Sequence, residues 1–145
     1  MLGTVHLYEL LIHERYLDTF GHVNNAVYLD LFEAARWDLI DKNGFGLAEI
    51  QRRAQGPTIL EINLRFQREI RNRERITIKT WLESYTGKIG KMKQQMVNAA
   101  GEICCDATFV FGLFDLNARR LIKPTPEWLH AVGITEADLA KADSK

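Results

Sequence analysis

Apolar residues crowd one stretch of this chain and alternate with polar residues elsewhere, and this contrast separates a helix from strands. Between Ala26 and Ile40 nearly every position is apolar. The charged interruptions in that stretch are Asp30, Glu33, Arg36 and Asp38. A helix that is apolar on nearly all sides is typical of burial rather than of a surface position. The pattern therefore predicts one long buried helix over residues 26–40.

The segments around this helix have the period of two that indicates half-buried strands. A first extended segment covers Val5–Tyr16, and two alternating runs follow Pro57. One face of the first run carries Leu60, Ile62, Leu64 and Phe66. One face of the second run carries Ile76, Ile78, Thr80 and Leu82. Residues 91–97 and 103–114 form two more predicted strands, joined by a hairpin connection that Gly101 closes.

The order of these elements predicts an α+β fold in which a five-stranded antiparallel sheet is wrapped around one long buried helix. Pro124 and Pro126 open a short amphipathic helix containing Trp128, and a polar tail follows Asp138. We expect a single domain over residues 4–142. A sheet this small leaves its edges and part of the helix uncovered, so we expect a homodimer, possible also as a dimer of dimers.

Composition narrows the classes of partner. The 145 residues contain 19 basic and 19 acidic side chains, so no net charge draws the chain to nucleic acid or to an anionic membrane. No apolar run approaches the ~18 residues of a membrane span, and residues 1–12 lack the features of a signal peptide. We therefore expect a cytoplasmic protein with neither a nucleic-acid nor a membrane partner.

Cysteine usage indicates neither a disulfide nor a metal site. Cys104 and Cys105 are adjacent in a predicted strand, where neighbouring side chains point to opposite faces. They are predicted to be buried free thiols. No spacing of Cys and His suggests a zinc site, and we expect no metal and no cofactor.

Chemistry is concentrated between Asp18 and Arg36. Asp18 places a carboxylate in the loop before the helix, and Asn24 or Asn25 can cap the helix start, where backbone N–H groups lack partners. Glu33 adds a second carboxylate within the helix. Hydrolysis of a thioester requires such groups: a fixed N–H stabilises the charge that develops on the carbonyl oxygen, by ~2.7–4 kcal/mol in other hydrolases. A carboxylate then activates water or attacks directly.

The same segment carries a family resemblance. The pattern Asp-x-x-Gly-His-Val-Asn-Asn-x-x-Tyr, from Asp18 to Tyr28, is followed by Glu-x-Ala-Arg at 33–36. It resembles the hotdog-fold acyl-CoA thioesterases related to 4-hydroxybenzoyl-CoA thioesterase, and the order of helix and strands matches over residues 5–115. The resemblance implies hydrolysis of an acyl-CoA to a free carboxylic acid and CoA. Plant acyl-carrier-protein thioesterases carry a similar segment, so acyl-ACP is the alternative substrate.

The resemblance also implies roles for individual residues. Asp18 takes the position of the loop carboxylate that acts as base or nucleophile, and the backbone N–H near Asn25 takes the oxyanion-hole position. Another branch of the family uses a helix carboxylate about two turns beyond that donor. Glu33 is eight residues beyond Asn25, ~12 Å along the axis. We favour Asp18 as the catalytic group, with Glu33 orienting water or Asn25.

Simpler interpretations exist for most of these residues. Asp18 can be a turn residue, Asn24 a helix cap, His22 a structural residue closing the turn, and Tyr28 a core residue whose hydroxyl needs a partner. Substrate binding is the alternative role for Asn24, His22 and Tyr28.

A helix ion pair is the simpler interpretation of the second carboxylate. Glu33 and Arg36 are three residues apart, a spacing at which opposite charges meet on a helix surface. Such a pair would remove Glu33 from the chemistry.

Candidate groups for the phosphates of CoA lie in and between the predicted strands. They are Arg65, Lys88 and Lys91, for which a solvated strand face is the alternative. Arg68 is followed by Glu69, where the family often has Arg-Pro, so the local path of the backbone can differ.

Competing functions are a hotdog-fold dehydratase, whose catalytic His lies in a different pattern, and a non-catalytic acyl-binding protein, which needs no carboxylate at Asp18.

Overall fold

A computed structural model describes residues 2–135, which adopt an α+β fold. The elements are β1 (Leu2–Leu11), a 3-10 turn (Glu14–Tyr16), α1 (Asn25–Lys42), α2 (Leu47–Arg53), β2 (Gln55–Phe66), β3 (Arg75–Thr86), β4 (Ile89–Asn98), β5 (Ile103–Asp115), β6 (Arg120–Ile122) and α3 (Pro126–Ala131). The six strands form one antiparallel sheet in the order β1-β3-β4-β5-β2, with β6 paired to the end of β5. Of the predicted domain, residues 136–142 lie outside this description.

The long helix α1 confirms the predicted helix and extends it by one residue at the start and two at the end. Gly44, with a φ of 85°, follows its last turn. Its buried face consists of Tyr28, Leu31, Phe32, Ala35, Leu39 and Ile40. The opposite side is not covered, because Leu29 and Trp37 are each 37% exposed. The prediction of burial is therefore correct for one side of the helix only.

The inner face of the sheet packs on α1. Ile76, Ile78, Thr80 and Leu82 are all buried, as the alternation in β3 predicts, and Met92, Gln94 and Met96 of β4 lie beside them. The predicted hairpin is present, since Gly101 has a φ of 82° and its N–H donates to the Asn98 carbonyl at 3.0 Å. Cys104 and Cys105 are both buried and free, as predicted.

The prediction for β2 is wrong in one respect: its apolar face is not buried within one chain. The exposed apolar side chains are Ile59, Leu60, Ile62 and Phe66. A shift of register between Ile59 and Glu61 pairs Ile59 with Phe111 and leaves Leu60 out of the alternation. Because β2 is the last strand of the sheet, no neighbouring strand covers its outer edge.

One boundary and two elements differ from the sequence prediction. The first strand ends at Leu11 rather than Tyr16, because the chain turns there and the Ile12 N–H donates to the Glu74 carbonyl at 2.9 Å. The helix α2 and the three-residue strand β6 were not predicted, so the sheet has six strands instead of five. The amphipathic helix after Pro124 is α3, with Trp128 buried. None of the described helices is long and apolar enough to cross a membrane.

Candidate active site

The Asp18 carboxylate closes its own turn. Its Oδ1 atom accepts hydrogen bonds from the backbone N–H groups of Phe20, at 2.8 Å, and His22, at 3.2 Å. The Asp18 N–H donates in turn to the His22 carbonyl at 2.8 Å, and Gly21 has a φ of 80° that glycine adopts without strain. Oδ2 accepts no hydrogen bond from residues 2–135. The turn therefore fixes the orientation of the carboxylate and leaves one oxygen available.

The start of α1 offers a hydrogen-bond donor. Asn24 caps the helix, as predicted, because its Oδ1 accepts the Ala26 N–H at 2.9 Å. Asn25 is the first helical residue, and its backbone N–H has no acceptor among the residues that the structure describes. First-turn N–H groups lack intrahelical partners and carry the positive end of the helix dipole. An anionic oxygen placed there would be stabilised.

Hydrogen bonds join the Asp18 turn to the helix start. Leu17 and Val23 form an antiparallel bridge across the base of the turn, and the Asn24 N–H donates to the Tyr16 carbonyl at 2.9 Å. The carboxylate and the free N–H of the helix therefore belong to one rigid unit. This is the local organisation that the motif predicted.

His22 contacts the connection between β2 and β3. Its Nε2 lies 3.3 Å from Glu69 Oε2, and its backbone forms an isolated bridge with Arg71. The side chain is 42% exposed. Glu69, which stands where the family often has proline, thus contributes to closing the turn. These contacts describe a structural role, and substrate binding by His22 stays a prediction.

Tyr28 lies one turn into α1 on its buried face. Its ring packs edge-on against Phe66, with 4.9 Å between the ring centroids. Burial, followed by the charges of neighbouring thiols and carboxylates, raises the pKa of Tyr28 to about 12. The hydroxyl has no hydrogen-bond partner among residues 2–135, so its predicted substrate contact remains a prediction.

Glu33 and Arg36 do not form the ion pair that their spacing allowed. Glu33 is exposed, and its Oε1 accepts a hydrogen bond from Trp37 Nε1 at 3.3 Å. The guanidinium of Arg36 instead reaches the sheet, where Nη1 donates to Gln94 Oε1 at 2.9 Å. Arg36 therefore bonds to a residue of the sheet, whereas Glu33 bonds to Trp37 one turn further along its own helix. Glu33 thus keeps a carboxylate oxygen available.

Two of the three basic candidates, Lys88 and Lys91, lie apart from the Asp18 turn within one chain. Arg65 is exposed on β2, and its cross-strand partner is Asp106. Lys88 lies in the turn after β3, and Lys91 is exposed on β4. Because β3 begins beside the Asp18 turn, the turn after it is roughly 35 Å away at ~3.3 Å per residue. The predicted phosphate contacts of Lys88 and Lys91 would therefore need a second chain.

A buried polar network that the sequence analysis missed lies beside α1. Gln94 is fully buried, and its Nε2 donates to the Phe32 carbonyl and to Thr80 Oγ1, both at 3.0 Å. Its Oε1 accepts the Arg36 hydrogen bond. The alternation in β4 could have revealed this network, because it puts Gln94 between two methionines on the inner face.

An apolar cavity opens beside the same arginine. Its volume is about 140 Å³, and Glu33 and Arg36 line it from α1. The apolar lining includes Ile40, Ile59, Met92, Phe109, Phe111 and Trp128. Within residues 2–135 no cluster of His, Cys, Asp or Glu could hold a metal ion.

Known proteins share this architecture. The long-chain acyl-CoA thioesterase FadM of Escherichia coli (strain K12) is 27% identical over 115 residues, which are 79% of this chain and 86% of FadM. The chloroplastic acyl-acyl carrier protein thioesterase ATL2 of Arabidopsis thaliana is 33% identical over 79 residues, which are 54% of this chain and 42% of ATL2. A Staphylococcus aureus protein solved in complex with CoA has a TM-score of 0.83 at 14% identity, covering 97% of this chain and 85% of that chain.

These findings confirm the hotdog fold and the thioesterase family that the motif predicted. The matching family model, described as Thioesterase-like superfamily, spans residues 12–132 and thus includes the Asp18 turn, α1 and the whole sheet from β2 to β6. Because the match covers most of the chain, this protein belongs to the Thioesterase-like superfamily.

Proposed function

We propose that this protein hydrolyses the thioester of an acyl-CoA to a carboxylic acid and CoA. The observation that carries the proposal is the fixed carboxylate of Asp18, with one free oxygen, in the same rigid unit as the free N–H of Asn25. Family membership and the similarity to FadM support a thioester as the substrate and CoA as its carrier.

The Asn25 N–H and the Asp18 carboxylate perform different parts of the proposed reaction. The Asn25 N–H, at the positive end of α1, binds the carbonyl oxygen as it gains charge on attack. The free oxygen of Asp18 either accepts a proton from the attacking water or attacks the carbonyl carbon itself. The thiolate of CoA then leaves. Where water attacks, the carboxylic acid is formed directly; where Asp18 attacks, water hydrolyses the anhydride formed on Asp18, which releases the acid and restores the carboxylate. Binding of the substrate by Asn24, His22 and Tyr28 around this centre is part of the same proposal.

Glu33 joins this centre from a second chain. It lies eight residues beyond Asn25, so ~12 Å of helix separates it from the donor in its own chain. Two copies that pair along β2 would cover the exposed side chains of Ile62 and Phe66 and bring their α1 helices together. The site would then combine Asp18 of one protomer with a helix carboxylate of its partner. Two such dimers can associate further.

A shared site also gives the basic candidates a role. Lys88 and Lys91 lie far from the Asp18 turn of their own chain, so they can meet the phosphates of CoA only at the turn of another protomer. Arg65 lies on the β2 edge that we propose as the interface. A Lys88→Ala and Lys91→Ala double variant should raise KM for acyl-CoA more than it lowers kcat, because these residues contact the carrier and not the reacting bond.

Acyl-ACP is the second candidate substrate, and the similarity to ATL2 favours it. The direct test compares one acyl group on both carriers, with release of free thiol followed by a thiol reagent. We expect hydrolysis of both, with higher kcat/KM for acyl-CoA. A preference for acyl-ACP would transfer the assignment to that carrier. An absence of turnover with a range of short, long and aromatic acyl groups on both carriers would refute the proposal.

A further inference from the structure

Arg36 spans the space between α1 and the sheet. Its Nη1 donates to Gln94 Oε1, and its guanidinium carbon lies 4.2 Å from the centre of the Phe109 ring. The orientation of the Gln94 amide is fixed, because its nitrogen donates to the Phe32 carbonyl and to Thr80 Oγ1. The guanidinium is therefore held in one place.

Within residues 2–135 the guanidinium of Arg36 bonds to no carboxylate, although the charge of Glu33 on the same helix attracts it. A guanidinium has five N–H donors, and the hydrogen bond to Gln94 uses one of them. Among residues 2–135 no Asp or Glu forms an ion pair with Arg36, and Glu33 bonds to Trp37 instead. Burial lowers the pKa of Arg36 to about 10, so the group is still charged at neutral pH. A half-buried charge is normally paired, which indicates that an anion belongs here.

The cavity beside Arg36 limits the size of the chemical group that could bear this anion. Its walls are apolar, with Met92, Phe109, Phe111 and Trp128 among them, and its volume is about 140 Å³. Apolar cavities of ~150 Å³ in other proteins hold a molecule as large as benzene. A group of about six carbons therefore fits, and a long fatty chain does not. The cavity combines an apolar body with the guanidinium of Arg36 and, about one turn earlier on α1, the carboxylate of Glu33.

We propose that this cavity receives the acyl group of the substrate and that Arg36 binds a carboxylate at the far end of that group. The substrates would then be compact ω-carboxyacyl thioesters, the monothioesters of short dicarboxylic acids. A carboxylate matches the planar fork of the guanidinium and neutralises its charge. This inference rests on the proposed function.

The inference also requires the shared site. Arg36 lies eleven residues beyond Asn25, ~16.5 Å along the helix, which a six-carbon acyl group cannot span. It lies only three residues beyond Glu33, ~4.5 Å along the axis. A compact acyl group in the cavity would therefore place its thioester near Glu33, where a partner subunit can supply the Asp18 carboxylate and the helix-start N–H.

Matched substrates test the inference with the full-length protein. Adipoyl-CoA and hexanoyl-CoA have acyl chains of the same length and differ in the terminal carboxylate. We expect kcat/KM for adipoyl-CoA to exceed that for hexanoyl-CoA by at least about tenfold, and palmitoyl-CoA to be the poorest of the three. In Arg36→Met the preference for adipoyl-CoA should fall at least about tenfold, because methionine keeps contact with the aromatic ring and loses the charge.

Two further variants separate binding from folding. Arg36→Lys keeps a charge but lacks the fork, so it should retain part of the preference. Arg53→Met is the control, because Arg53 lies 5.6 Å from the Phe45 ring outside this cavity and should leave the preference unchanged. If Arg36→Met does not fold, the preference of the native protein and its decrease in Arg36→Lys decide the question.

The outcomes are distinct. Hydrolysis of hexanoyl-CoA as fast as that of adipoyl-CoA, or a preference that survives in a folded Arg36→Met, would overturn the carboxylate assignment and leave the proposed function standing. A preference for palmitoyl-CoA would overturn the size limit. Absence of hydrolysis with every thioester would overturn the proposed function and this inference together.

Discussion

Replacing Asp18 by asparagine separates the structural role of the side chain from its chemical role. Asparagine is nearly isosteric and keeps a carbonyl oxygen that can accept the two N–H groups now bound to Asp18 Oδ1, at 2.8 and 3.2 Å. It loses the negative charge and with it the base or nucleophile. We therefore expect a folded variant with a small change in stability and a large loss of turnover.

The magnitudes follow from the contacts. Two charge-assisted hydrogen bonds become neutral ones, which should lower the free energy of unfolding by about 1–2 kcal/mol at most. For a chain of this length that corresponds to a decrease in Tm of about 2–8 °C. The loss of a positioned acid–base group should lower kcat by at least ~10²-fold. The effect on turnover is therefore far larger than the effect on stability can explain.

Asp115 provides a matched control. Its Oδ1 also accepts two backbone N–H groups, those of Asn117 and Ala118, both at 2.9 Å, in the turn between β5 and β6. Asp115→Asn should change Tm by a similar amount and leave kcat unchanged. The assay is steady-state thiol release from acyl-CoA together with thermal unfolding of both variants. Near-native turnover by pure, folded Asp18→Asn would show that Asp18 is not the catalytic group.

Three other predictions follow from the same structure. Glu33→Gln should lower kcat less than Asp18→Asn does, and the catalytic roles should be exchanged if steady-state assays give the reverse order. Gln94→Leu should lower the free energy of unfolding, measured with urea, by about 2–4 kcal/mol, because it leaves buried polar groups unpaired, and an unchanged midpoint would contradict the network. Ile62→Lys should shift the species seen by light scattering toward the monomer mass of 16.7 kDa and abolish activity, whereas Leu7→Lys on the opposite edge should not. A fully active native monomer would refute the shared site.

The sequence predicted those parts of the fold that depend on contacts within one chain. The alternation from Ile76 to Leu82 is a local signal, and the structure buries that face because α1 packs on it. The caps of α1 are also local, since Asn24 bonds to a backbone group two residues away. Elements without a strong period were missed: α2 has seven residues and β6 has three. Too few side chains repeat in them to reveal a period.

The candidate site was predictable only in part, for the same reason. The Asp18 turn is closed by neighbours in sequence, so the motif located it correctly. The spacing offered an ion pair with Glu33 as one interpretation of Arg36, yet Arg36 bonds to Gln94, which is 58 residues away in the chain. A rule for helix surfaces cannot identify a partner on the sheet. Contacts across the core decide the partner of Arg36, and these contacts can be identified only once the fold is known.

The exposed edge of the sheet and the separation of the catalytic groups have one common explanation. β2 ends the sheet with Ile62 and Phe66 exposed, although its sequence has the alternation of a strand that is covered on one face. Glu33 and the cavity beside it lie ~12 Å or more along α1 from Asn25, too far for one thioester to meet both. Both the exposed face of β2 and the distance from Asn25 to Glu33 leave a single chain incomplete. In the dimer that we propose, a second copy along β2 would cover the apolar face and, in the same step, would bring Asp18 of one protomer to Glu33 of the other.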